Sequence, residues 1–317
     1  MQFLRFLPLS VMVAGCTVFS VDLTPRIEPL REKTVEGSGA AKILLLDLSG
    51  ILSEEAGVSI GQALPRVPLL ARVREELLKA EEDENLRALV VRINSPGGTV
   101  TASDILYREL SAFKARRKVP VVAAIMDVGA SGGYNVALAA DAIVAHPTAV
   151  TGSIGVMMLT VNAEGLLQKV GVAPLAIKSG AKKDMGSPFR GLSEEERTIF
   201  QAVIDDMHRR FVALIVRERR LPEEKVRELA DGRIFTAEQA RALGLVDRVG
   251  YLDEALGAAR EAARVSEARV VMYHRPREYR ASIYSSARAA EPLEASLAQL
   301  SSLVLGPGPR FLYLWWP

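Results

Sequence analysis

The chain of 317 residues carries a single cysteine, which excludes an intrachain disulfide framework. It has no CxxC or HExxH spacing, so neither a thiol redox pair nor a zinc cage is suggested, and no metal or nucleotide cofactor is called for. Histidine is equally scarce, with only His146, His208 and His274. An excess of one charge is also missing: 40 basic residues nearly cancel 38 acidic ones. A nucleic-acid partner, which needs a basic stripe to displace counterions, therefore has no compositional support. The one local run, KARRKVP, reads as a solvated helix end complementing the helix dipole.

Long apolar runs are lacking too. The longest N-terminal stretch, Phe6 to Val21, is interrupted by a proline and two serines and is short for a membrane span. The opening MQFLRFLPLSVMVAGC reads as an export signal with Arg5 ahead of an apolar stretch and small residues before Cys16. VAGC resembles the bacterial lipoprotein signal, in which that cysteine is lipidated and becomes the mature N-terminus. The expectation is a signal over residues 1–15 and an anchor and tether over 16–41, the latter mixing proline, charge and Gly-Ser without an apolar period.

Apolar residues make up 49% of the sequence, enough for a sizeable core. KILLLDLSG, LRALVVRI and VPVVAAIM are continuous apolar runs rather than alternating ones, as expected where helices cover both faces of a parallel sheet. Further strands are expected at DAIVA, GSIGVMML and APLAIK. Helical periods fall around LLARVREELLKAEED and ASDILYRELSAFKARRK, and capping boxes at Ser193 and Thr236 start two more helices, the second stopping at Gly244. The fold class is α/β, with a folded domain over 42–260 and an extension over 261–317 that ends in FLYLWWP. That apolar end is expected either to dock on a neighbouring surface or protomer or to form a strand in its own core.

Two glycine-rich turns follow consecutive strands: NSPGG (94–98) and GASGGYN (129–135). In a parallel sheet both loops reach one edge, where glycine lets the backbone approach a ligand and aim N–H groups outward. Ser131 could then be a nucleophile facing oxyanion donors, or a helix N-cap. A serine nucleophile needs a base. His146 ends a strand, while His208 and His274 lie in a polar helix and a basic loop, and no histidine stands beside an acid. A lysine with a lowered pKa is the alternative, and Lys178, Lys182 and Lys183 cluster in IKSGAKKDMGSPFR.

SPGG, SGGY, GSIGV and SGAKKDMGSPFR, in this order, resemble the bacterial signal peptide peptidase SppA family of serine proteases, whose fold is related to the Clp protease subunit and to crotonases. The resemblance covers roughly residues 42 to 260. It implies Ser131 as nucleophile and Lys183 as base, with Asp184 anchoring the alignment although Lys182 is an unusual neighbour. It also implies Ser153 as the residue that orients the lysine, and Gly97, Gly98 and Gly132 as the oxyanion hole. Short-form members form rings or domes in which serine and lysine come from neighbouring subunits, so a homo-oligomer with shared active sites is expected. The partners implied are peptides such as cleaved signal peptides, bound by β-augmentation with shallow pockets for small or apolar side chains, at an extracytoplasmic membrane face. A non-catalytic assembly protein of this fold and a crotonase-like acyl-CoA enzyme are the alternatives; export and the lack of an acidic pair beside the glycine turns weigh against the latter.

Overall fold

KILLLDLS forms strand β2 (Lys42–Ser49), and every residue from Ile43 to Leu48 is buried. Side chains alternate across a strand, so this run feeds two cores at once. Leu44, Leu46 and Leu48 face one cluster, while Ile43 and Leu45 face the other. Strands β3 (Leu86–Ser95) and β5 (Val121–Ala130) divide their side chains the same way. The first face is covered by α1 (Leu69–Glu81), α2 (Val100–Arg117) and α5 (Glu194–Arg219) through residues such as Leu77, Leu106 and Phe211. The second is covered by α8 (Leu252–Ala262) through Leu252, Ala255, Leu256 and Ala259. Each fully buried Leu or Ile contributes about 1.5–3 kcal/mol, which is why these runs dictate the layers.

This architecture comes from a computed structural model that describes residues 27–54, 67–276, 278–285 and 310–315. The main sheet has the order β1-β11-β2-β3-β5-β6-β10, with β1 (Arg31–Glu36), β11 (Arg269–His274), β6 (Ala142–Ala145) and β10 (Arg248–Val249). All pairs are parallel except β1 with β11. Since β1 and β11 lie outside residues 42–260, the folded body extends beyond the expected domain on both sides. Past the end of β6, β5 also pairs in parallel with β7 (Val150–Gly152), which pairs antiparallel with β9 (Ile234–Thr236).

Two strand expectations are corrected. GSIGVMML does not form one strand, because Gly152 and Ser153 take φ of +87° and +50° and turn the chain between β7 and β8 (Met157–Leu159). APLAIK forms no strand. It belongs to an arm over 160–192, with α4 (Glu164–Lys169) as its only regular element, and leaves Leu175 and Ile177 88% and 96% exposed. Among the described residues its backbone has no partner strand, and a strand without one is not stable. The expected caps are present at Ser193 for α5, and at Thr236 and Gly244 for α7 (Ala237–Leu243). The remaining helices are α3 (Gly132–Ala137) and α6 (Glu223–Leu229).

One charged pair interrupts the second core. Asp47 and Arg92 stand opposite one another on β2 and β3, both buried, with Arg92 Nε and Nη2 donating to Asp47 Oδ1 at 2.9 and 2.7 Å. Arg92 also donates to the carbonyls of Ile283 and Ser285, the latter at 2.6 Å, and so ties segment 278–285 to the sheet. Removing one partner of a buried pair strands the other charge. Asp47→Ala is expected to destabilise the fold by about 3–5 kcal/mol, read as a lower midpoint in chemical denaturation.

Candidate active site

Strand β5 ends at Ala130 and the next residue, Ser131, turns the chain into α3. Its amide donates to Gly152 O at 2.7 Å and its carbonyl accepts from Asn135 N at 2.9 Å. Ser131 is 1% exposed and has φ +52° and ψ −114°, a conformation that costs a non-glycine residue about 1–3 kcal/mol. It occupies the N-cap position, but its hydroxyl makes no capping bond. The N-cap role therefore does not account for the serine.

The two glycines after it are required by packing. A Cβ at Gly132 would overlap Ser103 Oγ and come within 3.0 Å of Tyr313 O, and one at Gly133 would lie 2.6 Å from Ser95 O. Tyr134 then anchors the turn, fully buried, its hydroxyl donating to Leu245 O at 2.8 Å.

The NSPGG turn closes on the same point. β4 (Gly97–Thr99) follows β3 directly, and Gly97 has φ +102°. A Cβ there would lie 2.7 Å from Gly132 N and would overlap Tyr313 O, so only glycine lets the two turns meet. Gly97 N donates to Ser95 Oγ at 3.1 Å, and Ser95 Oγ donates to Gly50 O at 2.6 Å. The Gly97 amide is thus engaged within its own turn. Ser153 is brought to the same edge, one residue beyond the Ala130–Gly152 register of β5 and β7, with its amide donating to Arg233 O at 2.7 Å. Thr151 Oγ1, donating to Gly129 O at 2.6 Å, holds these strand ends together.

Lys183 lies in the exposed arm. Asp184 accepts from Lys178 Nζ at 2.8 Å and from Arg190 Nη2 and Nε at 2.7 and 3.0 Å. Arg190 reaches on to Glu196 Oε1 at 2.6 Å, and Glu196 closes the capping box of α5 with Ser193. The hydrogen bonds from Arg190 and then Lys178 hold the Asp184 carboxyl far below its usual range, and Arg190 brings Glu196 down to about 2. DMGSPFR is thus a charge-clamped loop fastened to the first turn of α5. Lys178 is taken by Asp184 and Lys182 by Glu195, whereas Lys183 Nζ has no partner among the described residues. No hydrogen bond joins Lys183 to Ser131. The protomer therefore assembles Ser131, Ser153, Gly97, Gly98 and Gly132 but not the lysine.

The histidines are accounted for elsewhere. His146 bonds Thr148 Oγ1 at 2.9 Å and its amide bonds Ile125 O, which places it roughly 20 Å along β5 from Ser131. His208 bonds Ala230 O and His274 bonds Arg275 O. Sequence reasoning missed Arg190 and Glu196, although the Arg in GSPFR was a signal, and it missed Ser95 and Ser103, for which there was none. Cys16 and the expected tether as far as residue 26 lie outside the described residues, whereas the rest of that segment is no free tether, since it carries β1 paired with β11.

Residues 113–266 match the family model described as Peptidase family S49, and residues 42–151 match that of Clp protease. A protein of Enterococcus faecium provisionally named signal peptide peptidase SppA is 34% identical over 248 residues, covering 78% of this chain and 71% of its own length. The chain belongs to the S49 peptidase family. This is a serine protease family, and the α/β fold is the Clp protease-like one expected. Two other S49-like relatives are a provisionally named protease of Synechocystis, 47% identical over 178 residues, and the chloroplastic serine protease SPPA of Arabidopsis thaliana, 30% identical over 271 residues. These cover 56% and 84% of this chain, which spans only 64% and 38% of their lengths. Among solved structures, a point mutant of ClpP1 from Listeria monocytogenes aligns with a TM-score of 0.43 at 18% identity, covering 67% of this chain and 94% of that one.

If the strain at Ser131 is held for chemistry, glycine should relieve it. Ser131→Gly is expected to raise stability by about 1 kcal/mol in chemical denaturation while abolishing reaction with a fluorophosphonate. A loss of stability would show that the serine side chain itself supports the fold.

Proposed function

We propose that the chain is a membrane-anchored serine endopeptidase that cleaves peptides, such as signal peptides already released, through an acyl-enzyme at Ser131. The observation that carries this reading is an uncapped serine hydroxyl in a strained turn, at the point where the turns of Gly97 and Gly132 meet. Ser131 Oγ attacks the peptide carbonyl carbon as its proton passes to the neutral amine of Lys183, and the developing oxyanion is met by amides of these two turns. The C–N bond then breaks, with Lys183 returning the proton to the leaving amine. A water, deprotonated by the same amine, releases the acyl group. Ser153 orients the amine from the neighbouring strand end.

The lysine is supplied by a neighbouring copy of the chain. The unpartnered amine of Lys183, its clamped loop and the exposed Leu175 and Ile177 support an arm that docks outside its own protomer. Oligomers built on head-to-tail contacts make each site composite. Ser131→Ala and Lys183→Ala should each be inactive alone against a fluorogenic peptide. Mixing the two after dissociation should restore about a quarter of the parent activity, from those interfaces that join an intact serine to an intact lysine. Absence of any recovery in assembled mixtures would place both residues in one protomer.

Anchoring rests on VAGC at residues 13–16, and among the described residues no helix is long and apolar enough to cross a membrane. A lipid at Cys16 is the expected attachment, facing the extracytoplasmic side. Mass spectrometry of the mature protein from membranes should show a diacylated Cys16 as first residue; any other N-terminus rejects it.

A further inference from the structure

Ser153 is held in a backbone conformation that side chains avoid. Its φ is +50°, it is 7% exposed, and its hydroxyl makes no hydrogen bond among the described residues. Such a conformation persists only where the surroundings over-determine it. Here the surroundings are one short stretch, the loop 230–233 between α6 and β9 together with the start of β9. Gly152 pairs with Ile234, and a Cβ on it would lie 2.5 Å from Phe235 Cδ2. Ser153 N donates to Arg233 O at 2.7 Å, and Gly232 N donates to Ile154 O at 3.1 Å. Gly155 faces Gly232, since an added Cβ would sit 3.6 Å from the Gly232 Cα. Four consecutive residues of the Ser153 turn therefore rest on this loop.

The loop is shaped by polar bonds. At its root, Ala230 O accepts from His208 Nε2 of α5 at 2.8 Å. At its tip, Asp231 Oδ1 accepts from Arg233 N at 3.1 Å and closes a turn over Gly232, which has φ +90°. Arg233 Nε donates to both Asp231 oxygens, at 2.8 and 2.9 Å, and Nη2 donates to Oδ2. The two side chains are 48% and 58% exposed, and exposed ion pairs add little to stability. What this pair does is geometric: it fixes the carbonyl of Arg233 on which the Ser153 amide hangs. The bonds from Arg233 bring the Asp231 carboxyl down to about 2, so the pair is charged and closed throughout the range in which a lysine base titrates.

We propose that Asp231 and Arg233 are positioning residues for the reaction, clamping the strained Ser153 turn so that its hydroxyl meets the amine of Lys183. Neither side chain is bonded to Ser153; both act through the Arg233 carbonyl. A hydroxyl donating to the lone pair of a neutral amine favours the neutral form and lowers the amine pKa. A turn that drifts gives up part of that effect, and the lysine stays cationic to higher pH. This inference rests on the peptidase reading and deepens it, because the support of an orienting residue has to be as well placed as the residue itself.

Asp231→Ala, Asp231→Asn and Ser153→Ala are compared in the full chain with a fluorogenic peptide. Asp231→Ala should lower kcat about tenfold with KM little changed. It should also move the acidic limb of kcat/KM upward by about half to one pH unit, because a higher pH is needed to free the amine. Asn keeps an acceptor for Arg233 N and should recover most of the loss. Adding Asp231→Ala to Ser153→Ala should cost nothing further, since both act through one hydroxyl. Additive losses, or an acidic limb that does not move, overturn the proposal. Hydrogen exchange reads the clamp without turnover: the Ser153 amide should exchange about tenfold faster in Asp231→Ala, with β3 and β5 unchanged. Unchanged exchange at Ser153 overturns the proposal even in an active enzyme. If the parent chain shows no turnover that depends on Ser131, the peptidase reading fails, and exchange alone decides whether Asp231 holds the turn. Should a thermal melt show that Asp231→Ala does not fold, Arg233→Gln, which breaks the same pair and keeps the backbone carbonyl, replaces it with the same signs expected.

Discussion

The approach of two glycine turns at the carboxyl ends of β3 and β5 is the constraint on which the site depends. Gly97 cannot carry a side chain because Gly132 and Tyr313 stand where it would be, and Gly132 cannot because Ser103 does. Their contact brings Ser131 to the edge of the sheet and leaves its hydroxyl without a capping partner. The strain this stores is small beside the two apolar clusters that hold β3 and β5 in place, which is how a marginally stable fold tolerates it.

Electrostatics then divides the molecule into a rigid part and a presenting part. The Asp47–Arg92 pair is buried within the sheet and fixes a late segment of the chain to it. The Asp184–Arg190–Glu196 chain performs the corresponding task in the arm, where no apolar cluster is available to hold the backbone. The carboxylates around it also engage Lys178 and Lys182, so that among the described residues Lys183 is the lysine of this cluster without a partner.

The short strands β4 and β8 are likewise held by a late segment of the chain, β12 (Arg310–Leu314). Each is paired on the side that β12 occupies, and each lies immediately after a turn that shapes the site. An extended segment placed there satisfies two edges at once, as β12 does.

Much of this was legible in the sequence. The continuous apolar runs implied a parallel sheet covered on both faces, and the order of NSPGG, GASGGYN and GSIGV placed the serines and glycines at one edge, because parallel strands deliver their following loops to the same side. Local rules were also sufficient for the caps at Ser193, Thr236 and Gly244. They failed at APLAIK, where strand propensity found no partner among the described residues, and at GSIGVMML, where Gly152 and Ser153 turn the chain. The engagement of the Gly97 amide by Ser95, the partnering of Lys178 and Lys182, and the seating of Tyr313 against Phe211 depend on the folded arrangement, and no periodicity encodes these. The sequence by itself determined the layers and the chemistry available, since both follow from residue type and local order. Only the tertiary structure decided which amide is engaged, which lysines are paired and which strand lies beside the glycine turns, since these are settled by the space left when the turns meet.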